Sequence, residues 1–393
     1  MIRKVVAGIV FLALFLTVMG SAHYYIAQRI AFEPAWPDFV REALIAMMAL
    51  GLSALIVQGL VRGRLGVFSR ALSWGAYAWL GVLFYLFLST AALDLATGLL
   101  GFVAPGAQGP EGSIPAARGR AFVIAGLTVL ASGLALRKGI EPPTTKRVDI
   151  ALERFPHALD GFRIVQISDV HIGPLLDRDF AARVTAQVNA LEPDLIVVTG
   201  DLVDGRVSTI AREVEPFREL RAHHGVYFVT GNHDFYSGAD DWVSHVSTFG
   251  WTPLRNASVP IGRDGAHFEL VGVDDPHGSM LEGRGGEDLD LALRDSDPTR
   301  AIVLLAHDPV TFRRAHKRSV GLQLSGHTHG GQIWPFGWAV RVAIPWVNGH
   351  HRVGESQLYV SCGTGFWGPP MRLGTQAEIT EVVLRPAAAV VAG

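Results

Sequence analysis

The sequence predicts two fold classes in series: an all-α transmembrane region of about four helices over residues 1–140 and, beyond a linker at 141–147, an α/β domain over residues 148–393. Three observations lead there. Of the 70 Asp, Glu, Lys and Arg side chains, residues 1–140 hold only 16, 11 basic and five acidic. Fourteen of the 15 histidines lie after residue 150. After residue 160, short apolar runs recur, and many of them end in Asp, Asn or His. The averages of 49% hydrophobic and 18% charged residues, against about 25% charged in an ordinary soluble domain, therefore describe neither part. The front carries +6 and the back −8, within an overall −2.

Four stretches have the composition of bilayer-crossing helices, which need about 20 mostly apolar residues. They are Val5 to Tyr24 behind Arg3 and Lys4, Ala43 to Val61, Leu72 to Leu93, and the shorter, small-residue-rich Ala121 to Leu136. A basic start before an apolar run also opens signal peptides, but three further spans come after it, which favours a retained helix. Lysine and arginine in the flanking loops set orientation. Arg3, Lys4, Arg62, Arg64, Arg70, Arg137, Lys138, Lys146 and Arg147 fall on one side, and Arg29, Arg41, Arg118 and Arg120 on the other. The richer side predicts the cytoplasm, with both termini and the whole back domain there, in a multi-pass protein of the inner (cell) membrane. Asp94, at the end of the third span, fits an interfacial carboxylate, and the Gly- and Pro-rich segment from Pro105 to Pro115 a turn outside the membrane. Without paired intramembrane charges, the spans fit an anchor rather than a transport pathway.

Glu141-Pro142-Pro143 breaks any helix and marks the linker. Strands are expected at Arg163 to Ile167, Asp194 to Thr199, Val226 to Thr230, Glu269 to Val273, Ala301 to Ala306, Leu322 to Leu324 and Leu358 to Ser361, apolar runs bounded by Gly, Pro and Asp. The residues at the ends of five of these runs carry the chemistry. IVQISDVH gives Asp169 and His171, LIVVTGDLVD gives Asp201 and Asp204, and VYFVTGNHD gives Asn232, His233 and Asp234. IVLLAHD gives His307, and LQLSGHTHGGQ gives His327 and His329. Gly200, Gly231 and Gly326 stand directly before ligand-type residues, where a chain turns sharply and comes close to a charged centre.

Imidazoles and carboxylates without thiolates suit Mn, Fe or Zn ions. Cys362 is the only cysteine, so a zinc-finger site and an internal disulfide are both excluded. Seven ligands are too many for one tetrahedral ion. Two ions about 3.5–4 Å apart, sharing a carboxylate, would use them and would clamp the attacking and leaving oxygens of a phosphoryl displacement. The −8 balance of the back argues against nucleic acid as a partner.

The ordered succession DVH, GDLVD, GNHD, a lone His before Asp, and GHTH resembles the five-block signature of the calcineurin-like metallophosphoesterases, over roughly residues 148–386. QISDVHIG, GHTHGGQI and the late VSCGTG and PPMR segments are similar to its membrane-associated members. Those include UDP-diacylglucosamine pyrophosphohydrolases and related bacterial phosphodiesterases. The resemblance implies a four-layer α/β/β/α sandwich with two divalent ions at the strand ends. One ion would be held by Asp169, His171, Asp201 and His329, the other by Asp201, Asn232, His307 and His327, with Asp201 as the bridge. The resemblance assigns His233 as the acid or hydrogen-bond donor, Asp204 as the residue orienting it, Asp234 as a support behind them, and a hydroxide bridging the ions as nucleophile.

The implied activity is hydrolysis of a phosphodiester or pyrophosphate by a membrane-anchored enzyme, on a lipid or nucleotide-linked lipid. Alternatives are a broad phosphodiesterase or phosphatase acting on soluble substrates, and a non-catalytic metal-binding membrane protein; the complete ligand set with His233 speaks against the latter. No oligomeric state is readable. Two features outside the ligand set bear on the substrate. The basic run Arg313, Arg314, His316, Lys317 and Arg318 fits either a solvated helix face or attraction to anionic headgroups. Trp334, Phe336, Trp338, Ile344, Pro345 and Trp346, echoed by Phe366 and Trp367, fit either core packing or a membrane-interface loop. Cys362 fits a small buried thiol.

Overall fold

Residues 2–61, 66–103, 113–263, 265–278 and 286–387 are described by the computed structural model, without the side chains of 2–9, 11, 60 and 61. The chain forms two units, the first built largely from residues up to Arg137 and the second from Lys138 onward.

The first unit contains four long helices, α1 (Ile2–Ala27), α2 (Asp38–Val61), α3 (Val67–Val103) and α4 (Ile114–Gly139). Among the described residues three helical segments, Asp38–Gly59, Val67–Val103 and Ile114–Gly139, are long and apolar enough to cross a membrane. Each helix contains one of the expected apolar stretches and extends beyond it. The side chains of Arg3, Lys4, Arg62 and Arg64, and most of the Pro105–Pro115 loop, lie outside the described residues.

α3 continues nine residues past Asp94, beyond the expected third span. The Asp94 carboxylate accepts hydrogen bonds from the Tyr25 hydroxyl at 2.7 Å and from Arg29 Nε at 2.9 Å. Glu33 pairs with Arg29 and, at 3.2 Å, with Arg120. Charges are therefore paired within the helical unit, because a carboxylate or a guanidinium between helices is tolerated only with a partner.

The second unit holds two six-stranded sheets. The first runs β1 (Thr144–Leu152), β12 (Glu378–Pro386), β2 (Phe162–Ile167), β3 (Leu195–Thr199), β4 (Val226–Val229) and β5 (Thr252–Pro253), in that spatial order. The second runs β10 (Gly349–Val353), β11 (Ser356–Val360), β9 (Leu322–Ser325), β8 (Ile302–Leu305), β7 (Ala266–Gly272) and β6 (Ala257–Arg263). β2 to β5 are mutually parallel, as are β7, β8, β9 and β11. Parallel strands need crossovers, and α5 (Arg178–Asn189), α6 (Val207–Val214) and α8 (Ala239–Ser247) supply them in the first sheet.

Side-chain alternation explains the layering. Val303 and Leu305 of β8 pack with Ile164, Leu195 and Val197 of the first sheet, forming the core between the sheets. Their neighbours Ile302 and Leu304 point the other way and pack under Phe312, Ala315 and Leu289 of short outer helices. The expected four-layer α/β/β/α arrangement is present. Gln166 ties the two sheets together below their ends, its Nε2 donating to Thr199 Oγ1 at 2.8 Å and to the Ser325 carbonyl at 3.0 Å.

Candidate metal centre

Because β2, β3 and β4 are parallel in one sheet and β8 and β9 in the other, their carboxyl ends open on one crevice, the place where α/β sheets bind ligands. Asp169 and His171 come after β2, Asp201 and Asp204 after β3, Asn232 to Asp234 open the short helix α7 (Asn232–Ser237) after β4, His307 comes after β8, and His327 and His329 after β9. All ten sequence-derived positions lie at these strand ends, and seven of them, with Asp204 beside His233, converge on one another. Among the described residues three groups have potential ligand atoms within 4.8 Å of one another: Asp169, His171 and His329; His171, Asp201 and His233; and Asp201, His307 and His327. His171 and Asp201 link the groups. Oδ2 of Asp201 lies 3.2 Å from Nε2 of His307 and 3.8 Å from Nε2 of His171, between the two outer groups.

Backbone geometry shows how close the approach is. Asp169, His171, Asp201, His327 and His329 all have φ between 50° and 72°, the left-handed region. Such residues cost of order 1–3 kcal/mol each and persist where surrounding structure fixes them. At Gly231 a Cβ would meet Asp201 Oδ1 at 2.2 Å, and at Gly326 it would meet Ser168 Oγ at 2.0 Å and Asp169 Oδ2 at 2.1 Å. Any side chain there displaces a candidate ligand.

The donor set fits divalent cations. Nε2 of His171 and Nε2 of His329 face each other at 3.0 Å, and Nδ1 of His327 faces Nε2 of His307 at 3.2 Å. Two imidazole ligands, each about 2.0–2.1 Å from one ion, come this close. Asp169 Oδ2 and Asn232 Oδ1 are buried and have no hydrogen-bond partner, which is costly unless a cation completes them.

Neighbouring groups hold the ligands in place. Nδ1 of His307 lies 2.8 Å from the Thr199 carbonyl, which sets the tautomer and turns Nε2 toward Asp201. The Asp169 Oδ1 accepts from the His327 amide at 2.8 Å, and Asp201 Oδ1 from the His233 amide at 2.7 Å. Asp204 serves two rings: Oδ1 is 2.5 Å from Nδ1 of His233, and Oδ2 is 3.3 Å from Nδ1 of His171. Burial alone would raise the Asp204 pKa, but the His171 and His233 imidazoles outweigh it and hold the carboxyl well below its usual range. Burial opposes ionisation of Asp201 too, and His307, His233 and His171 together keep it well below. His329 goes the other way, driven down by burial and by His171 and Arg372.

Asp234 does not face the crevice chemistry. Its carboxylate accepts from the backbone amides of Gly231 at 2.8 Å, Asp201 at 2.9 Å and Leu202 at 3.0 Å, pinning the β3 and β4 loops to each other. Burial and the charge of Asp201 push its pKa up to about 7.

Arg372 and Tyr236 escaped sequence reasoning, and Trp367 was singled out only for its aromatic surroundings. Arg372 is fully buried beneath the site, its Nη2 donating to the carbonyls of Cys362 at 2.8 Å and Gly365 at 2.5 Å, and its Nη1 to the His329 carbonyl at 3.4 Å. Burial lowers its pKa to about 10. PPMR marked the segment, but nothing in it announced a guanidinium that organises main chain. Tyr236 and Trp367 flank the His233 ring, with centroids 5.3 Å and 6.0 Å away. The basic run is engaged with carboxylates, Arg314 with Glu287 at 2.5 Å and Arg318 with Asp290 at 2.8 Å. Core packing describes Trp346, which meets Phe312, and Phe366, which is buried, but not the exposed Trp334, Phe336, Trp338 and Trp367. Cys362 is buried, and burial together with Glu378 pushes its thiol up to about 11.

Fold and site together define a metal-binding α/β sandwich protein with clustered His and Asp at its strand ends. The model of the calcineurin-like phosphoesterase family matches residues 162–331. A transmembrane protein with metallophosphoesterase domain of Bos taurus is 39% identical over 272 residues, 66% of this chain and 61% of the relative. The protein of that description in Danio rerio is 35% identical over 269 residues, 66% of this chain and 62% of the relative. An uncharacterized metallophosphoesterase of Bacillus subtilis (strain 168) is 30% identical over 272 residues, 66% of this chain and 93% of the relative. The chain thus spans somewhat less than two thirds of the length of the two vertebrate relatives. It belongs to the calcineurin-like metallophosphoesterase family.

Proposed function

We propose that this protein is a membrane-anchored, binuclear metal-dependent phosphoesterase that hydrolyses a phosphodiester or pyrophosphate bond, on a lipid or nucleotide-linked lipid, with the catalytic domain on the cytoplasmic face of the inner membrane. The observation that carries this reading is the position of Asp201, whose Oδ2 stands between His171 and His307 and so between the two outer ligand groups.

In this reading Asp169, His171, Asp201 and His329 hold one ion, and Asp201, Asn232, His307 and His327 the other. Divalent cations there would neutralise phosphate charge and make hydroxide available near neutral pH. The chain's own groups do the rest. His233 protonates the leaving oxygen or donates a hydrogen bond to the charge that develops on phosphorus. Asp204 holds Nδ1 of His233, which fixes one tautomer and stabilises the imidazolium. The same carboxylate steadies His171, so acid and metal ligand are set relative to each other. Asp234 and Arg372 keep the loops from relaxing.

The reading is tested on the purified, metal-loaded full chain with a chromogenic bis-phosphodiester, phosphomonoesters and lipid pyrophosphates assayed in parallel. Hydrolysis abolished by Asp201→Asn and by His233→Ala is the expected result. Near-wild-type turnover by His233→Ala on every substrate would remove the role assigned to it.

A further inference from the structure

A soluble domain keeps large apolar side chains scattered on its surface and contiguous apolar patches small. Here Trp334, Phe336, Trp338, Val342 and Trp367 are 47–90% exposed, and the helix Phe336–Ala343, FGWAVRVA, buries none of its residues. Trp367 ties this exposed apolar set, here called the lip, to the site. The His233 ring lies against Trp367 and Tyr236. Trp367 is clamped to Gln332 through both its amide and its carbonyl, at 2.9 Å and 2.8 Å. Two residues on, Trp334 packs edge-on against Trp338 with centroids 6.3 Å apart.

The sequence of the same stretch is one-sided in charge, although Arg314 and Arg318 are paired with Glu287 and Asp290 from outside it. From residue 309 to 354 the sequence has no Asp or Glu but contains Arg313, Arg314, Lys317, Arg318, Arg341 and Arg352, although the residues after 140 carry −8 in total. Arg341 stands exposed within the apolar helix itself. Tryptophan and phenylalanine with interspersed arginine are the composition that settles at an anionic membrane–water interface. The lip also has no need to search for a bilayer. Residues 140–143 alone separate the last residue of α4 from the first of β1, a link of about 14 Å at full extension. The effective concentration of membrane is correspondingly high.

We propose that the lip formed by Trp334, Phe336, Trp338, Val342 and Trp367 docks the domain onto the headgroup zone of an anionic bilayer. The docking rests on exposure, composition and charge. Its consequence, that phosphates of membrane lipids are presented to the His233 side of the crevice, rests in addition on the proposed phosphoesterase reading.

The test uses the full chain in nanodiscs of phosphatidylcholine and phosphatidylglycerol in equal parts. Trp338→Cys and Val342→Cys are each labelled with an environment-sensitive fluorophore, Cys362 being buried, and Arg221→Cys, at an exposed position outside the lip, is the control. The expected result is blue-shifted emission at 338 and 342, quenched several-fold more strongly by nitroxide lipids than at 221, with weaker quenching in pure phosphatidylcholine. Equal lipid quenching at all three positions, together with full quenching by aqueous iodide, would overturn the proposal. So would protection from iodide without lipid quenching, with energy transfer between labelled chains, because a second copy would then cover the lip. The readout needs no turnover. A chain that docks but cleaves no phosphoester leaves the docking standing and removes the phosphoesterase reading, and an active chain that stays undocked does the reverse.

Discussion

Oδ1 of Asp204 lies 2.5 Å from Nδ1 of His233, while its other oxygen faces His171 at 3.3 Å. One carboxylate therefore orients both the proposed acid and a proposed metal ligand, and the two functions are separable by mutation. Asp204→Asn is expected to lower kcat by about 10²–10⁴-fold, the usual worth of a positioned acid. It is also expected to weaken metal affinity by about 10–100-fold, as loss of a ligand's supporting carboxylate does. His233→Ala, which removes the acid itself, should abolish turnover with metal content intact. Turnover measured beside metal analysis on both variants distinguishes the two.

Gly326→Ala should abolish metal binding, because its Cβ would sit 2.1 Å from Asp169 Oδ2 and 2.0 Å from Ser168 Oγ, so the candidate ligand would have to move. Gly250, at φ 83°, meets nothing within 4 Å, so Gly250→Ala carries only the left-handed strain, about 1–2 kcal/mol. Isothermal titration with Mn²⁺ should show no binding for the first variant and unchanged binding for the second.

Asp234→Ala removes the acceptor for the amides of Gly231, Asp201 and Leu202 at once. Leaving buried amides unpaired costs roughly 1–3 kcal/mol each. The expected outcome is a clear drop in Tm of the metal-loaded chain, with activity falling because the β3 and β4 loops separate. A Tm equal to wild type would show that these bonds are replaceable.

Arg372→Lys should fail to restore what Arg372→Met loses. The guanidinium reaches carbonyls on the segment 362–365 and on His329 through its planar fork, and an ammonium cannot span them. Both variants should lose thermal stability and bind metal more weakly than wild type, as read by melting curves across a metal titration.

Chelation should lower Tm, and added Mn²⁺ should reverse the loss, the recovery growing with the logarithm of its concentration above Kd, since ligand at 100 times Kd stabilises by about 2.7 kcal/mol. The facing nitrogens of His171 and His329, at 3.0 Å, and of His307 and His327, at 3.2 Å, are what a cation would hold together. A Tm indifferent to chelator would place metal outside the folding of this crevice.

The strands that the sequence exposed are those buried on both faces. LIVVT and IVLL, for example, are continuous apolar runs because a parallel strand between two layers has no water side. β1, β6 and β10 lie at sheet edges with half-exposed, mixed sequences, and β5 has two residues, so neither period nor length marks them. β12 is central yet carries Glu378 and Glu381; Glu378 is buried because it accepts from the Tyr359 hydroxyl at 2.7 Å and from the Cys362 amide, a partnership no local pattern encodes. The candidate ligand positions were legible for the opposite reason: a single Asp, Asn or His after an apolar run is ordinary turn or cap chemistry, but five such clusters at strand ends in one domain are not. Arg372 and Trp367 reach the site from a chain segment outside those runs, and Tyr236 from the helix that GNHD opens. The pairing of Asp94 with Arg29, 65 residues away, depends on how helices pack, which hydropathy does not report.

The central claim is a pair of ions sharing Asp201. Electron paramagnetic resonance of the fully Mn²⁺-loaded chain tests it most directly. The account predicts two ions per chain and the broad multiline signal of exchange-coupled manganese, collapsing to an uncoupled signal in Asp201→Asn. Uncoupled six-line spectra from the wild-type chain at full loading would contradict it.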